Sequence, residues 1–487
     1  MIRPLIVALG ALLPTLVLGA DYRFEALPEE NLAEVTVTLE NGSSGSFWMP
    51  AWAPGDYQIF DYGKYLENVR FFRGGAPVQA VQGDNPNLWT IDGGADRVVY
   101  RVKPSRGNFT INLRIRPEET FFSGPAVLGW FDGHANERHT LTVVKTPLNA
   151  IVECSLRRLE SRDPNTAQFE AKDYDELIDA PVVIGTTLRV KEFKVRGKDH
   201  AFVAFGSAES ADLDAFAAVA TGFIEQSADL FGELPYDRYL FLADFGGGGG
   251  GLEHRNSTRL GLGRNTRAEQ AASFIGHEFF HAFNVKRIRS KALGPFDYTK
   301  PAVTGALWWL EGVTDYYATI LGVRAGQFTK VNAWTEMMRT VRSFDRVAEE
   351  RNVSADESSR RVWETRGSQG FGISYYSKGK GAGFLLDLAI RAKSDGKHSL
   401  DDVIRKLYEE TKGGKPGFAE TRIRELCIEF GGASLGPIYD ACVMTPGPLP
   451  LAMVFREIGL EESEGTVTAT TEVGRKTVDQ WPLAIGR

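Results

Sequence analysis

Apolar residues along this chain follow two different rhythms. Up to about residue 195 they alternate with polar ones. Val35, Val37 and Leu39 run toward Asn41-Gly42, while Val98, Tyr100 and Val102, and then Phe109, Ile111, Leu113 and Ile115, take every second position. A period of two puts successive side chains on opposite faces of a strand, and Asn-Gly suits a tight hairpin turn. The pattern predicts an all-β, sandwich-like amino-terminal domain over residues 21–200, and no catalytic cluster is visible within it.

Beyond His200 the rhythm becomes helical. "SAESADLDAFAAVATGFIEQSADLFGELP" reads as a helix closed by Pro235; Tyr236 to Phe245 reads as a strand, and six glycines follow, Gly246 to Gly251. Further helices are predicted over 267–286, about 306–322, 331–350, 379–393 and 400–411. Thr266 to Glu269 has the form of a capping box, as do Ser399 and Asp402, and the polar stretch from Glu349 to Arg366 reads as a surface loop. This divides the rest of the chain into an α+β region over 201–325, a mainly helical part over 326–448 and a tail over 449–487.

The first twenty residues stand apart. "MIRPLIVALGALLPTLVLGA" carries one basic residue, Arg3, then an apolar run interrupted by Pro14 and ending in small residues. That reads as a secretory leader cut near Gly19 or Ala20, so the protein is expected outside the cytoplasm, periplasmic or secreted, without a stable membrane anchor. The formal net charge is −7. Without a Lys/Arg block, nothing marks a nucleic-acid partner. Three cysteines, Cys154, Cys427 and Cys442, are too few for a disulfide scaffold. Export would permit a Cys427–Cys442 bridge; buried apolar cysteine is the alternative.

Candidate chemistry is concentrated in "FIGHEFFHAFNVKRIR", Phe274 to Arg289. His277 and His281, four apart, lie one above the other on a helix, where both imidazoles can reach one ion. Neutral imidazole suits Zn²⁺ and leaves room for a third ligand and a water; Glu278, beside the first histidine, can take that water's proton. The apolar flanks also suit an ordinary core helix. A third ligand is offered by "ALWWLEGVTDYY": 29 residues lie between His281 and Glu311, and Asp315, one turn on, can hold a ligating histidine by its outer N–H. One Zn²⁺ per chain is expected, although the spacing does not exclude cobalt or manganese.

Glu311-Gly312-Val313-Thr314-Asp315 resembles the third-ligand motif of the gluzincin zinc peptidases, which include thermolysin and aminopeptidase N, and the chain as a whole resembles the glycyl aminopeptidase family among them. "WAPGDYQIFDY", "FGELPYDRY", "GGLEHRNS", "GHEFFHAFNVKRIR" and "LWWLEG" carry the resemblance, in order, across most of the chain. It implies a thermolysin-like catalytic domain, His277, His281 and Glu311 as zinc ligands and Glu278 as general base. It also implies a cleft strand, Gly250-Gly251 leading to Glu253, that admits a peptide backbone and grips its free amine. Tyr376, with Ser377, Lys378 and Gly379, resembles the tyrosine motif of aminopeptidase N, which implies oxyanion stabilisation; Tyr375 is the adjacent competitor. Phe283 stands where the family usually has tryptophan, and the 45 residues after Cys442 are too few for the ~90 of the PDZ domain that many members carry. The expected activity is release of small amino-terminal residues, Gly or Ala, from peptides with a free amino terminus. An endopeptidase, a processing enzyme for one exported protein and a zinc-stabilised binding protein are the alternatives; the oligomeric state is open.

Overall fold

The computed structural model describes residues 18–105, 112–365, 370–463 and 465–484. Its amino-terminal region is built of strands, as the alternation predicts. Leu18–Leu27 and Leu32–Leu39 lie at the centre of an eight-stranded sheet, and two four-stranded sheets pack with it. Val35, Val37 and Leu39 point inward, as do Val98, Tyr100 and Val102. Leu18–Ala20, the end of the expected leader, already belong to the first strand. Phe109 and Ile111 lie outside the described residues.

Asn41-Gly42 makes no hairpin. Leu32–Leu39 pairs with Arg97–Val102, whereas the next strand, Ser44–Trp48, pairs in a different sheet with Leu88–Ala95. The turn is a corner between sheets, a distinction that local turn chemistry cannot express.

The region after the amino-terminal domain begins with a five-stranded sheet that takes in Arg189–Val195, ahead of residue 200. From one edge to the other it runs Arg189–Val195, Lys198–Gly206, Arg238–Phe245, Ser257–Leu262 and Gly250–Glu253. The glycine-rich strand is therefore an edge. Helices Leu213–Phe231 and Ala272–Phe280 pack together against this sheet. The first ends at Gly232, left-handed at φ 83°, and not at Pro235. The second is shorter than the predicted 267–286. It follows a 3₁₀ turn, Ala268–Ala271, in which Gln270 Oε1 accepts from the Arg267 amide at 3.0 Å, one residue on from the expected box.

Downstream, helix Leu400–Thr411 starts as predicted, with Asp402 accepting from the Ser399 amide at 2.9 Å. Lys330–Arg342 and Tyr375–Lys393 are helical. The stretch read as a loop contains a helix, Ala355–Arg360, whose N-cap Ser354 accepts from the Glu357 amide at 3.0 Å. The tail folds back: Trp481 is fully buried against Trp334 and Phe384 and donates to Tyr316 Oη at 2.8 Å. All three cysteines are free, buried thiols. Among the described residues no helix is long and apolar enough to cross a membrane.

Candidate active site

Helix Ala272–Phe280 presents His277 and Glu278, and His281 follows at its carboxyl end. Glu311 arrives on a π-helical turn, Trp308–Val313, that runs on into helix Thr314–Arg324. Single π turns of this kind often accompany functional sites. The three side chains converge in the core: His277 Nε2 and His281 Nε2 are 3.0 Å apart, and Glu311 Oε2 lies 3.2 Å from the second and 3.6 Å from the first. All three are buried, and their ligand atoms lie within 4.8 Å of one another.

The hydrogen bonds behind the rings say what this cluster fits. His277 Nδ1 meets Asp315 Oδ1 at 2.9 Å, and His281 Nδ1 meets the Asn284 carbonyl at 2.7 Å. Both Nδ1 atoms face acceptors and so carry the protons, which leaves two Nε2 lone pairs and a carboxylate aimed at one point. Such a donor set repels itself unless a cation sits between, and His₂Glu is a zinc set. Burial opposes charge on His277, but Asp315 and Glu311 overcome it and hold the imidazole well above its usual pKa. The negative field that would favour a proton there equally favours a metal ion.

Glu278 is buried beside this point. Thr258 Oγ1 donates to its Oε2 at 3.3 Å, and burial first, then Glu253 and Glu311, raise its pKa to about 7. Strand Gly250–Glu253 passes so close that any side chain at Gly251 would overlap the Glu278 carboxylate. Two residues on, Glu253 is 5% exposed, and no hydrogen-bond or ion-pair partner engages its carboxylate among the described residues. A cavity of about 140 Å³ opens against it, lined also by Trp52, Gly55, Tyr57 and His254 but by none of the three converging side chains.

Tyr376 lies in the first turn of helix Tyr375–Lys393, earlier than the predicted start at 379, with its ring 6.0 Å from that of His277. Tyr375 is stacked on it and wholly buried, whereas Tyr376 is partly exposed. The approach depends on two glycines. Gly379 and Gly312 meet where this helix crosses the Glu311 turn, and a side chain at Gly379 would run into the Trp308 carbonyl.

Sequence reasoning missed that contact, and it missed Asn284. The Asn284 amide donates to the Trp309 carbonyl at 2.9 Å and to Thr314 Oγ1 at 3.0 Å, joining the turn after His281 to the Glu311 helix. An asparagine just past a ligand helix was the available signal.

Two family profiles match in the corresponding places. The Peptidase M61 N-terminal domain covers residues 21–186, and M61 glycyl aminopeptidase covers 270–381, the stretch that holds both histidines, Glu278, Glu311 and Tyr376. The chain belongs to the M61 glycyl aminopeptidase family. It is a zinc metallopeptidase, and the buried His277, His281 and Glu311 group is consistent with a zinc site. No curated protein matches it in sequence.

Among solved structures, an aminopeptidase N family protein from Idiomarina loihiensis is 26% identical with a TM-score of 0.82, over 91% of this M61 chain and 78% of that one. Yeast LTA4 hydrolase (15% identical, TM-score 0.56, covering 89% and 68%) shares the fold. So does an M1 zinc metallopeptidase of Deinococcus radiodurans in a substituted form bound to Tyr-Ser-Ala (14%, 0.55, 89% and 95%).

Proposed function

We propose that this M61 peptidase is an exported aminopeptidase that releases small amino-terminal residues, Gly or Ala, from peptides with a free amine. The observation that carries the reading is Glu253: a buried carboxylate with no hydrogen-bond or ion-pair partner among the described residues, on an edge strand that runs past Glu278. An edge strand offers unpaired backbone groups to an extended peptide. A desolvated carboxylate along it selects an ammonium, which an acetylated or internal residue lacks.

His277, His281 and Glu311 would hold one Zn²⁺, which when bound supplies Lewis acidity to a carbonyl and lowers the pKa of a water. Glu278 takes the proton from the attacking water and passes it to the leaving amine. Asp315 and the Asn284 carbonyl fix the two imidazoles in the tautomer that turns Nε2 inward. The Tyr376 hydroxyl donates to the oxyanion of the tetrahedral intermediate, a contribution that elsewhere is worth roughly 2.7–4 kcal/mol per donor. Export is supported by the apolar leader behind Arg3, and the preference for small residues by the family's name.

The test uses one short peptide beginning with alanine, with its amino terminus free or acetylated, each with and without a chelator. Chelator-sensitive release of alanine from the free form alone is the expected result. Equal internal cleavage of both forms would keep the metal site and replace the aminopeptidase by an endopeptidase.

A further inference from the structure

The cavity beside Glu253 is lined by charges of both signs, and most of them have a partner within the chain. Asp179 takes Lys286 Nζ at 3.0 Å, His254 Nδ1 at 3.1 Å and the Arg255 amide at 2.8 Å. Asp173 caps helix Tyr174–Ile178 by accepting the Glu176 amide at 2.8 Å, and Lys172 Nζ lies 3.4 Å from it. The Lys172 amide donates to Glu176 at 2.8 Å, and the Tyr298 hydroxyl donates to Asp175. Burial raises the Asp175 pKa, and Arg289, beyond ion-pair distance, opposes this less than the Tyr298 hydroxyl does.

Three charged groups of the lining are left without a partner. They are the Glu253 carboxylate and the guanidinium groups of Arg255 and Arg289, none of which has a hydrogen-bond or ion-pair partner among the described residues. Both arginines are half-buried. Arg255 stands in the tight turn that joins Gly250–Glu253 to Ser257–Leu262, where the His254 amide donates to the Ser257 carbonyl at 2.8 Å. Arg289 lies just downstream of His281, and its guanidinium packs so closely on Gly294 that a side chain there would overlap it. Each guanidinium is a rigid fork of five N–H donors that matches a carboxylate. The Nε2 of His254, a residue 3% exposed, is likewise without a partner.

One unpartnered anion and two unpartnered cations around a single cavity complement a group with an ammonium at one end and a carboxylate at the other. Glu253 and Arg255 are two residues apart, at most ~7 Å by the rise of a strand. That is the scale of an acidic residue measured from its amine to its side-chain carboxylate. We infer that Arg255 and Arg289 bind the side-chain carboxylate of an amino-terminal Asp or Glu, so that the enzyme also releases acidic first residues. The inference rests on the aminopeptidase reading above, in which Glu253 holds the amine, and adds a second substrate class to the small residues. The edge strand gives the direction. Gly251 passes the Glu278 carboxylate, Glu253 follows two residues later and Arg255 two later again. With the scissile bond beside Glu278 and the amine beside Glu253, the first side chain enters the cavity, to which His277, His281 and Glu311 contribute nothing. Gly and Ala leave the two arginines to water; an acidic side chain meets them as a charge-assisted pair in a partly desolvated place.

Glu-Ala-Ala and Gln-Ala-Ala, which differ by one charge, are compared with Ala-Ala-Ala on the full-length zinc enzyme by release of the first residue. The wild type is expected to cleave the Glu peptide with a kcat/KM about tenfold above that of the Gln peptide. Arg255→Met and Arg289→Met should each bring that ratio to about threefold or less, chiefly through KM, and Arg255→Lys should recover part of it. A wild-type ratio of one or below, with alanine still released from Ala-Ala-Ala, overturns the acidic site and leaves the aminopeptidase reading intact. Internal cleavage of all three peptides, with no first residue released, overturns that reading as well. A ratio kept in both methionine variants, whether or not all three rates fall together, makes the arginines structural and overturns the inference. Free alanine, tested as an inhibitor, separates the other source of the same chemistry. Inhibition lost in Arg255→Met, with a Glu-to-Gln ratio of one in the wild type, assigns the arginines to the carboxylate of a released amino acid and equally overturns the inference.

Discussion

Two buried clusters of charge lie in the catalytic region, and they are built on opposite principles. At the junction with the β region, Arg114 bridges Asp244 at 2.6 Å and Glu119 at 2.7 Å, Arg259 pairs with Asp244, and Glu119 also accepts the Gly206 amide at 2.7 Å. Two guanidinium groups meet two carboxylates, and the Arg259 cation lies over the Phe121 ring at 4.3 Å. Every charge is answered inside the chain. At the active site, Glu278, Glu311 and Asp315 lie around two imidazoles, and Glu253 lies on the strand that passes Glu278. That cluster holds an excess of negative charge which the chain does not answer. A buried charge is stable only when paired. A cluster that is complete by itself joins two regions, and one left short of cations selects them from outside, in the proposed reading a metal ion and an amine.

Removing the base from the open cluster is the largest test of this contrast. Glu278→Gln keeps shape and hydrogen bonding but cannot accept the proton. Turnover should fall by on the order of 10³-fold while zinc content, measured by atomic absorption, stays at one per chain. Full activity in that variant would refute the mechanism.

The closed cluster should respond in the opposite sense. Arg259→Met removes one of the two cations and weakens the pairing of a buried Asp244. Chemical denaturation should show a loss of about 3–5 kcal/mol, with activity per folded molecule and zinc affinity retained. A variant that lost zinc while keeping its stability would show that the two clusters are one network.

The smallest effect comes from a third solution, in which a buried group is kept neutral. His200 lies between the Lys198 carbonyl and Tyr236 Oη, at 3.1 Å from each, and burial lowers its pKa to about 4. His139 is likewise held at about 4. Between pH 6.5 and 4 the unfolded chain therefore binds more protons than the native one, so stability falls as the pH drops through that window. The expected loss is about 1 kcal/mol per histidine from pH 7 to 5.5. The urea midpoint of wild type with saturating zinc should fall more steeply over that range than that of His200→Gln. Parallel slopes would mean that His200 is charged in the native state.

Much of this was legible in single residues. His277, Glu278 and His281 fall on one helical face because the spacing of four is a property of the helix, and Glu311 with Asp315 repeats that logic one element later. The strands around Val35 and Val98 were equally plain, since a half-buried strand must alternate. Boundaries were less secure. Gly232, and not Pro235, ends the helix before the glycine strand, and the polar run after Glu349 hides a short helix started by Ser354. Asn41-Gly42 has hairpin chemistry but serves a corner, because turn propensity does not record which sheet the next strand joins.

By itself, then, the sequence determined the periodic elements and the candidate metal-binding group with a carboxylate beside it, through spacings that helix geometry enforces within each element. Only the tertiary structure decided between Tyr375 and Tyr376, through the Gly312–Gly379 crossing that buries one ring and leaves the other beside His277. It alone placed Glu253 on a sheet edge and folded Gly55 against it from nearly 200 residues away. No local pattern encodes such a meeting, because pairing between distant segments depends on how whole faces pack and not on the residues adjacent in the chain.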